Sequence, residues 1–499
     1  MPKSVKALLQ VLSLFVLFGC LPVNDSASTS GGSNDASAAD TSSIGPVDVT
    51  SIRANLSPTP MPNPTATPTP TPETLSMVMD SGKGPGGKYV SPRKDALSFS
   101  ANVSGGAKPY SFGWSFGDDA TTATSSEASI SHAYQTAGIF NMKVTVTDSN
   151  GSSVSAGTEV RIMPRYQGLY SLGTGQGKTI SAVALAHPKI DGVHLRAKWD
   201  GLNPTEGNYD WTWLDKQIIA ARDAGKTIAL SIGAGDQTPT FVYDAGARYV
   251  TDVGGARVPV PWDLVFQAKF KTFLQAVAAH FDPKTSPSVA AQAFVQCVSQ
   301  LKITGINYST NEFRLPTDNE IPQWQTEGYT PKKMTAAFEW MLALFVKNFP
   351  YHKLSISIVG PKSLPNIDDS GKLTKKSGDS ALLEALIDLG YQKYPNQFMV
   401  QNNGISTFWI SKSVYSRGDV GKDTGYQTLW SVTGTCAIGG PADGCRMNDY
   451  VQADAVEVLQ KSIDMALPHT PRFIEIYEVD VKNAALQTVI DNAYAGLPH

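Results

Sequence analysis

The sequence predicts a multidomain chain in which a disordered linker rich in Ser, Thr and Pro leads to an all-β sandwich and then to a C-terminal α/β barrel of the (β/α)8 type. Three observations support this architecture. The chain has 499 residues, which is too long for one ordinary domain. Residues 76–163 alternate apolar and polar side chains with period two between Gly, Asn and Asp turns. From residue 165 onward, short apolar runs alternate with helical stretches, which is typical of βα units.

The composition excludes several classes of partner. The formal net charge is −3 and only 17% of the residues are charged, so the chain has no basic field for nucleic acid or for an anionic membrane surface. The sequence contains no phosphate-binding loop and no nucleotide fingerprint, and its cysteines lack the spacing of a zinc site. We therefore predict no cofactor, no metal and no nucleic-acid partner.

The N-terminus predicts export. Lys3 and Lys6 precede an apolar run, residues 7–18, that has the length of a signal-peptide core and is too short to span a bilayer. The run ends in Leu17-Phe18-Gly19-Cys20, which resembles a bacterial lipobox, with Phe18 standing where a small residue is usual. The resemblance implies removal of residues 1–19, acylation of Cys20 and anchoring at the outer membrane or cell surface. The alternative is an ordinary signal peptide with a chance cysteine.

The segment that follows is predicted to be a stalk. Residues 20–75 hold almost no large apolar side chains and end in Thr-Pro repeats that reach Pro72. Such a segment buries too little apolar surface to offset its chain entropy, and its Pro-rich part favours an extended conformation.

The remaining cysteines fit an oxidising compartment. Cys436 and Cys445 flank a turn-rich loop, so an exported chain is expected to form a disulfide there. Cys297 lies in an apolar helical stretch and is expected to be a buried free thiol.

The sandwich segment carries a chain of motifs at its turns and strand ends. These are Trp114-Ser115-Phe116-Gly117-Asp118-Asp119, His132-Ala133-Tyr134, Gly138-Ile139-Phe140 and Val144-Thr145-Val146-Thr147-Asp148. They resemble the pattern of the PKD (polycystic kidney disease) domain, from which Asp119 and Phe140 are mild departures. The resemblance implies a spacer or binding module without catalysis of its own.

The C-terminal segment, residues 165–499, contains eight apolar runs that are predicted to be strands. They are Gly168–Leu172, Gly192–Trp199, Thr227–Ile232, Leu301–Tyr308, Leu354–Val359, Phe398–Gln401, Tyr426–Val432 and Arg472–Val479. The helices predicted between and after them are Trp213–Ala224, Leu264–Phe281, Lys333–Asn348, Ala381–Tyr391, Val451–Ala466 and Ala484–Ala495. Eight strands with intervening helices suit a TIM barrel.

The second βα unit carries the most distinctive motif of this domain. It reads Arg196, then Trp199, then Pro204-Thr205-Glu206-Gly207-Asn208-Tyr209-Asp210-Trp211, then Leu214-Asp215. This order resembles the second unit of clan A glycoside hydrolases, and the turn after the third strand is also similar. The resemblance implies hydrolysis of a glycosidic bond by two carboxyl groups at the C-terminal ends of the strands.

Asn311 and Glu312 follow the predicted fourth strand, where a barrel keeps catalytic groups. By the same resemblance, Glu312 is the acid/base, and Asn311 orients the sugar and the nucleophile. Otherwise Glu312 is simply an acid at the start of a helix on the following loop.

The second carboxylate is where the sequence departs from the clan. The family places a Glu at the end of the seventh strand, where this chain has Gln427. The eighth predicted strand instead holds Glu475 and Glu478, and Glu478 is the preferred candidate because it is nearer the strand's end. Three explanations stay open: the strands are miscounted, the carboxylate has moved to the eighth strand, or the barrel has lost the reaction. Either glutamate could also form a salt bridge to a neighbouring helix.

Further residues at predicted strand ends are candidates for contact with a sugar. They are Arg196, Trp199, Tyr308, Trp409, Gln427 and Trp430. Each aromatic ring could equally belong to the core.

These observations together predict a surface lipoprotein that hydrolyses an extracellular oligo- or polysaccharide and touches the membrane only through its lipid. The alternative is a non-catalytic carbohydrate-binding or adhesion protein on a degenerate barrel, which the missing seventh-strand Glu favours. A third reading is a structural envelope lipoprotein that binds no sugar.

Overall fold

A computed structural model describes residues 73–79, 89–92, 95–119, 123–308, 310–317, 319–359, 363–374, 379–433, 446–447, 450–451 and 455–499. The predicted signal peptide, the predicted acylation site Cys20, nearly all of the predicted stalk and the Cys436–Cys445 loop lie outside these residues. In the part of the chain that is described, no helix combines the length and apolarity needed to cross a bilayer.

The first folded segment is a β-sandwich of two sheets. Its strands are Ser76–Met79, Tyr89–Pro92, Ala96–Ser104, Ser111–Ser115, Ala123–Ser125, Ser129–Ala133, Gly138–Thr147 and Ser153–Met163. The first, third and sixth form a three-stranded sheet, and the other five form the second sheet. Period-two alternation places Trp114, Phe116 and Tyr134 in the core, where each is at most 3% exposed. The Asp118 carboxylate is hydrogen-bonded to the His132 ring. That ring stacks on the Phe116 ring with their centres 3.9 Å apart.

The C-terminal segment is a closed barrel of eight parallel strands, as predicted. Its strands, in chain order, are Gly168–Gly175, Gly192–Lys198, Thr227–Gly233, Val298–Lys302, Lys353–Ile358, Phe398–Ile405, Thr424–Thr428 and Phe473–Tyr477. Each predicted strand overlaps one of these, so the strand count was right. Gln427 lies on the seventh strand and Glu475 on the eighth.

Helices surround the barrel and bury their apolar faces against the outward side chains of the strands. The α-helices are Ala182–Ala186, Trp199–Leu202, Thr212–Asp223, Thr240–Asp244, Leu264–His280, Val289–Cys297, Ile321–Thr326, Pro331–Asn348, Ser380–Lys393, Lys412–Gly418, Ala455–Asp464, Glu478–Val481 and Gln487–Ala495. Short 3₁₀ turns occur at Gly235–Gln237, Leu467–His469 and Ala484–Leu486, and two-stranded hairpins pair Tyr249–Thr251 with Arg257–Pro259 and Arg446–Met447 with Tyr450–Val451. Cys297 is a buried free thiol, as predicted, and burial raises its pKa.

The fourth strand differs from the prediction in a way that positions the site. It ends at Lys302, and the chain then leaves the sheet through residues 303–308 and 310–311, which we call the fourth-strand excursion. Gly305 has φ 104°, a conformation that other residues rarely adopt and that turns the chain out of the ladder. Glu312 then rejoins the sheet in a parallel bridge to Ser357 of the fifth strand. Lys302 pairs with Ser355, two positions earlier on that same strand. Glu312 therefore occupies the next inward-facing position above Lys302.

The sandwich contacts the N-terminal end of the barrel. The guanidinium of Arg161 lies 4.3 Å from the centre of the Tyr351 ring, and Tyr351 lies two residues before the start of the fifth barrel strand. Glu159, on the same sandwich strand, forms an ion pair with Lys284, which precedes the fourth strand. Catalytic and binding groups of such barrels lie at the opposite, C-terminal end, so these contacts leave that mouth uncovered.

Candidate functional site

Four charged or polar side chains meet inside the barrel, one from each even-numbered strand. We call His194, Lys302, Gln401 and Glu475 the lower layer. The Lys302 ammonium lies 2.7 Å from Oε1 of Glu475 and donates to Oε1 of Gln401 at the same distance. Gln401 Nε2 donates to Oε2 of Glu475 at 2.9 Å, and His194 Nδ1 lies 3.3 Å from that oxygen. A layer of four residues from alternate strands is normal for this fold, but most barrels fill it with branched apolar residues.

Burial and charge determine the protonation of this layer. Burial acts against the charged form of Glu475, but His194 and Lys302 outweigh it, so the pKa of Glu475 lies well below its usual range. Burial lowers the pKa of His194 to about 4 despite the opposing charge of Glu475, and lowers that of Lys302. Lys302 and Glu475 therefore form a buried ion pair beside a neutral histidine. Glu475 is 0% exposed and both of its oxygens have partners, so a ligand at the mouth cannot reach it without displacing them.

A second layer occupies the next inward-facing position of the same four strands. We call Arg196, Glu312, Asn403 and Tyr477 the upper layer. Asn403 Nδ2, from the sixth strand, donates to Oε1 of Glu312 at 3.0 Å past the intervening fifth strand, which places the Glu312 carboxylate inside the barrel. Burial raises the pKa of Tyr477, the positive charge of Arg196 opposes this, and the negative charge of Glu312 adds to it. The upper layer is therefore a polar ring around one carboxylate.

Several polar atoms in or next to this ring are buried and lack a hydrogen-bond partner in the described part of the chain. They are Arg196 Nε, Asn311 Oδ1, Glu312 Oε2, Ser357 Oγ and Asn403 Oδ1. Buried polar atoms in folded proteins nearly always have partners, so a group of such atoms indicates a surface built to hydrogen-bond something else. Donors and acceptors occur together here, as recognition of hydroxyl groups requires.

The remaining carboxyl candidate, Glu478, and the amide Gln427 are placed differently from Glu312. The eighth strand ends at Tyr477, and Glu478 begins the next helix. Its carboxylate lies 2.7 Å from the Lys482 ammonium and accepts from the backbone N–H of Ser181 at 3.2 Å. Gln427 is 7% exposed and pairs in register with Asn403 on one side and Glu475 on the other. The position where the clan keeps its nucleophile therefore carries an uncharged amide.

Trp199 does not contact a ligand at the mouth, and that prediction was wrong. It begins a short helix, is 0% exposed, and packs against Phe266, Phe270 and Phe273. By strand alternation Trp199 shares the outward face of Leu195 and Ala197, so its indole lies in the helical layer; the strand itself ends one residue earlier than predicted, at Lys198.

The other predicted aromatic residues are more accessible. Trp430 is 41% exposed just beyond the seventh strand, and Trp409 is partly exposed beyond the sixth. Tyr308 lies in the fourth-strand excursion, where its hydroxyl donates to Asp252. That hydrogen bond, together with burial, raises the pKa of Tyr308 to about 12. The guanidinium of Arg314 lies 5.1 Å from the centre of the same ring.

Asn311 and the loop after the third strand meet at Gly233. A Cβ on Gly233 would lie 2.0 Å from Oε1 of Gln237 and 3.0 Å from Oδ1 of Asn311, so any larger residue there would displace one or both amides. Asp236, in the same loop, has a buried Oδ1 without a partner among the described residues, and burial raises its pKa. The sequence analysis did not select Asp236, because one acid in a turn carries no distinguishing signal.

The sequence analysis also missed Asn403 and Lys302. The predicted sixth strand stopped at Gln401, although it continues through Asn402 and Asn403. The polar run at its end was the signal that could have identified Asn403. Lys302 carries no sequence signal, because its role depends on Glu475, 173 positions later in the chain. Among the described residues, no group of three or more His, Cys, Asp or Glu side chains could hold a metal ion.

Comparison with known proteins identifies the sandwich. Residues 86–162 match the family of the PKD domain, which confirms the resemblance in the motifs. No curated protein matches the chain as a relative.

Solved structures with the same type of barrel include several glycoside hydrolases. A family 39 glycoside hydrolase from the gut symbiont Bacteroides cellulosilyticus WH2 is 11% identical, with a TM-score of 0.37, over 78% of this chain and 74% of that one. Xylanase 10B from Thermotoga petrophila RKU-1, in complex with xylobiose, is 12% identical, with a TM-score of 0.39, over 62% and 81%. A mutant of Xylanase10C from Cellvibrio japonicus, in complex with xylopentaose, is 11% identical, with a TM-score of 0.39, over 85% of each chain.

The chain thus joins a PKD domain to an eight-stranded parallel barrel of the TIM type. At these identities and scores, the likeness to solved structures says nothing about activity. Any function must be argued from the side chains at the mouth of the barrel.

Proposed function

We propose that this chain is an exported, lipid-anchored protein of the bacterial cell envelope whose barrel binds an extracellular glycan at its C-terminal mouth. The observation that carries the proposal is the upper layer, where Glu312, Asn403 and Arg196 present buried, unpartnered polar atoms around the barrel axis. A pyranose offers hydroxyl groups at its rim and apolar C–H faces. A concave site with a few convergent polar groups and nearby rings suits such a ligand.

The anchor and the stalk support the same proposal. The lipobox-like Leu17-Phe18-Gly19-Cys20 and the Thr-Pro repeats would hold the folded domains outside the cell at the end of a semi-rigid spacer. This arrangement would allow the barrel to reach a polymer that is too large to import.

Hydrolysis is the second candidate, and Glu312 favours it. Its Oε2 is buried near the axis without a partner, as a group that exchanges a proton with a glycosidic oxygen would be. Cleavage also needs a second carboxyl across the scissile bond. Glu475 is enclosed by Lys302, Gln401 and His194, and Glu478 is bound to Lys482 and Ser181. These contacts are why glycan binding, rather than cleavage, is the function that the geometry supports best.

One variant separates the two candidates. The full mature chain and its Glu312→Gln form would be tested against soluble xylan, glucomannan, mixed-linkage glucan, laminarin, pectin and chitosan, by affinity electrophoresis and by release of reducing ends. Glu339→Gln is the matched control, because Glu339 is a surface residue on an outer helix.

For a binding protein, no reducing ends appear and Glu312→Gln weakens binding about tenfold or more, since a charge-assisted hydrogen bond contributes about 1.5–3 kcal/mol. For a hydrolase, Glu312→Gln abolishes release of reducing ends and leaves binding largely intact. The proposal fails if the wild-type chain retains no glycan of the panel, or if Glu312→Gln and Glu339→Gln both behave as wild type.

A further inference from the structure

The mouth of the barrel has an exposed aromatic edge that lies beside the upper layer. We call Phe408, Trp409 and Trp430 the aromatic edge. Phe408 is 48% exposed and Trp430 is 41% exposed, whereas most rings of this domain are buried. Both follow barrel strands, the sixth and the seventh, so they lie at the C-terminal end where Glu312 also lies.

Backbone contacts bring the two parts of this edge together. The N–H of Leu429 donates to the carbonyl of Ile405 at 3.0 Å, which joins the ends of the two strands. Gly404 has φ 111°, and a Cβ there would lie 2.8 Å from Cδ1 of Leu429, so the Leu429 side chain packs directly against the Gly404 backbone. Trp430 is thus held next to the turn that carries Phe408.

Both loops are fixed before any ligand arrives. In the first, the N–H of Ser406 donates to the carbonyl of Trp409 at 3.0 Å, which closes the turn under Phe408. In the second, the Asp480 carboxylate accepts from Ser431 Oγ and from the backbone N–H groups of Val432 and Thr433 at 2.8–3.0 Å. Rings on pre-organised loops lose little conformational entropy on binding.

A second aromatic group lies on the other side of Glu312. Tyr308 and Arg314 line a cavity of about 230 Å³, in contact with the loop that follows the third strand. The third and seventh strands are four places apart in the closed barrel, so they face each other across its axis. Asn403, which binds Glu312, precedes the aromatic edge on the sixth strand.

From this arrangement we infer that the mouth binds an extended glycan chain of at least three pyranose residues, one above Glu312 and others on each side. This inference rests on the proposed glycan binding and names its substrate class. Flat aromatic rings stack on the apolar C–H faces of pyranoses, and these faces are most continuous when the hydroxyls are equatorial. Chains of glucose-type or xylose-type sugars are therefore the class we propose, with β-1,4-linked oligomers as the probes. A single sugar or a disaccharide would leave one side of the mouth empty.

Binding of a chain-length series tests the inference. Xylo-oligosaccharides and cello-oligosaccharides of one to six residues would be titrated into the full mature chain by calorimetry. Affinity should increase at least tenfold between the dimer and the tetramer. Phe408→Ala and Trp430→Ala should each weaken hexamer binding about fivefold to tenfold and leave dimer binding within twofold. Tyr308→Ala should weaken hexamer binding from the other side.

Val420→Ala is the control, because Val420 is 71% exposed but precedes the seventh strand, at the far end of the barrel. Thermal unfolding of every variant verifies that the fold is kept. The inference is overturned if affinity stops rising at the dimer, or if folded Phe408→Ala and Trp430→Ala bind the hexamer like Val420→Ala. In that case glycan binding by Glu312 still stands. Failure of the wild-type chain to bind any glycan of the wider panel overturns the proposed function and this inference together.

Discussion

Removal of the Lys302 ammonium should destabilise the barrel strongly. Lys302 and Glu475 are 1% and 0% exposed, and their charged atoms are 2.7 Å apart. In Lys302→Met the apolar part of the side chain is retained, but Glu475 keeps only Gln401 and His194 as partners. Breaking a buried ion pair on one side leaves an uncompensated charge, which costs about 3–5 kcal/mol.

A double variant shows whether that cost comes from the stranded charge. Lys302→Met combined with Glu475→Gln removes both charges, so most of the lost stability should return. Lowering the pH should also reduce the loss of stability in the single variant Lys302→Met. Without Lys302, burial acts on Glu475 with less opposition and raises its pKa, so a proton can neutralise the carboxyl as the pH falls. The penalty of Lys302→Met should therefore be smaller near pH 4 than at pH 7.

The matched control is Lys393→Met. Lys393 also lies 2.7 Å from its partner Glu339, but both side chains are more than a third exposed. Exposed pairs contribute about 0–1 kcal/mol, so this variant should unfold almost like wild type. Thermal unfolding gives the readout, since about 3 kcal/mol corresponds to a decrease in Tm of roughly 4 °C for a domain of this size. If Lys302→Met has the same Tm as Lys393→Met, or if the double variant is no more stable than Lys302→Met, the buried ion pair does not stabilise the barrel as argued.

Three further predictions concern anchoring, oxidation and pH. Cys20→Ser should move the protein from the membrane fraction to the soluble one, and retention after carbonate washing would contradict acylation. The mature protein should show two fewer thiols under denaturing, non-reducing conditions than after reduction, and Cys436→Ser should expose Cys445 to alkylation; if both cysteines alkylate without reduction, there is no disulfide. Burial lowers the pKa of His194 to about 4, so between pH 6.5 and pH 4 the unfolded chain binds a proton at this residue and the folded chain does not. The free energy of unfolding should therefore decrease by about 3 kcal/mol as the pH falls from 6.5 to 4. His194→Gln should flatten that part of the pH profile, and an unchanged profile would mean that His194 is not buried and neutral.

Local patterns were enough to predict both folds. Alternation with period two placed Trp114 and Phe116 in the sandwich core, and the motif chain around them identified a PKD domain. Apolar runs between helical stretches predicted eight barrel strands, and each overlaps an observed one. These features depend on residues near each other in the chain, so a sequence displays them directly.

The candidate site was only partly predictable. Glu312 was selected for its place after the fourth strand, but its inward position depends on the excursion that returns it to the ladder opposite Ser357. The ranking of Glu478 above Glu475 assumed a strand that continued past Tyr477, whereas a helix begins at Glu478. One residue more or less at a strand end decides which way a side chain points, and sequence patterns do not define ends that closely.

The sequence alone determined the order of the PKD domain and the barrel, the barrel's strand count, and the presence of Gln427 rather than a glutamate in the seventh strand. Only the tertiary structure decided which acids are available at the mouth. The Glu475 carboxylate is enclosed in the barrel interior by Lys302, Gln401 and His194, which come from three other strands. Glu312 points into the barrel, where Asn403 on the sixth strand donates a hydrogen bond to it. The physical reason is that a carboxylate's role depends on the charges and donors within a few ångströms of it, and barrel closure brings those groups together from distant parts of the chain.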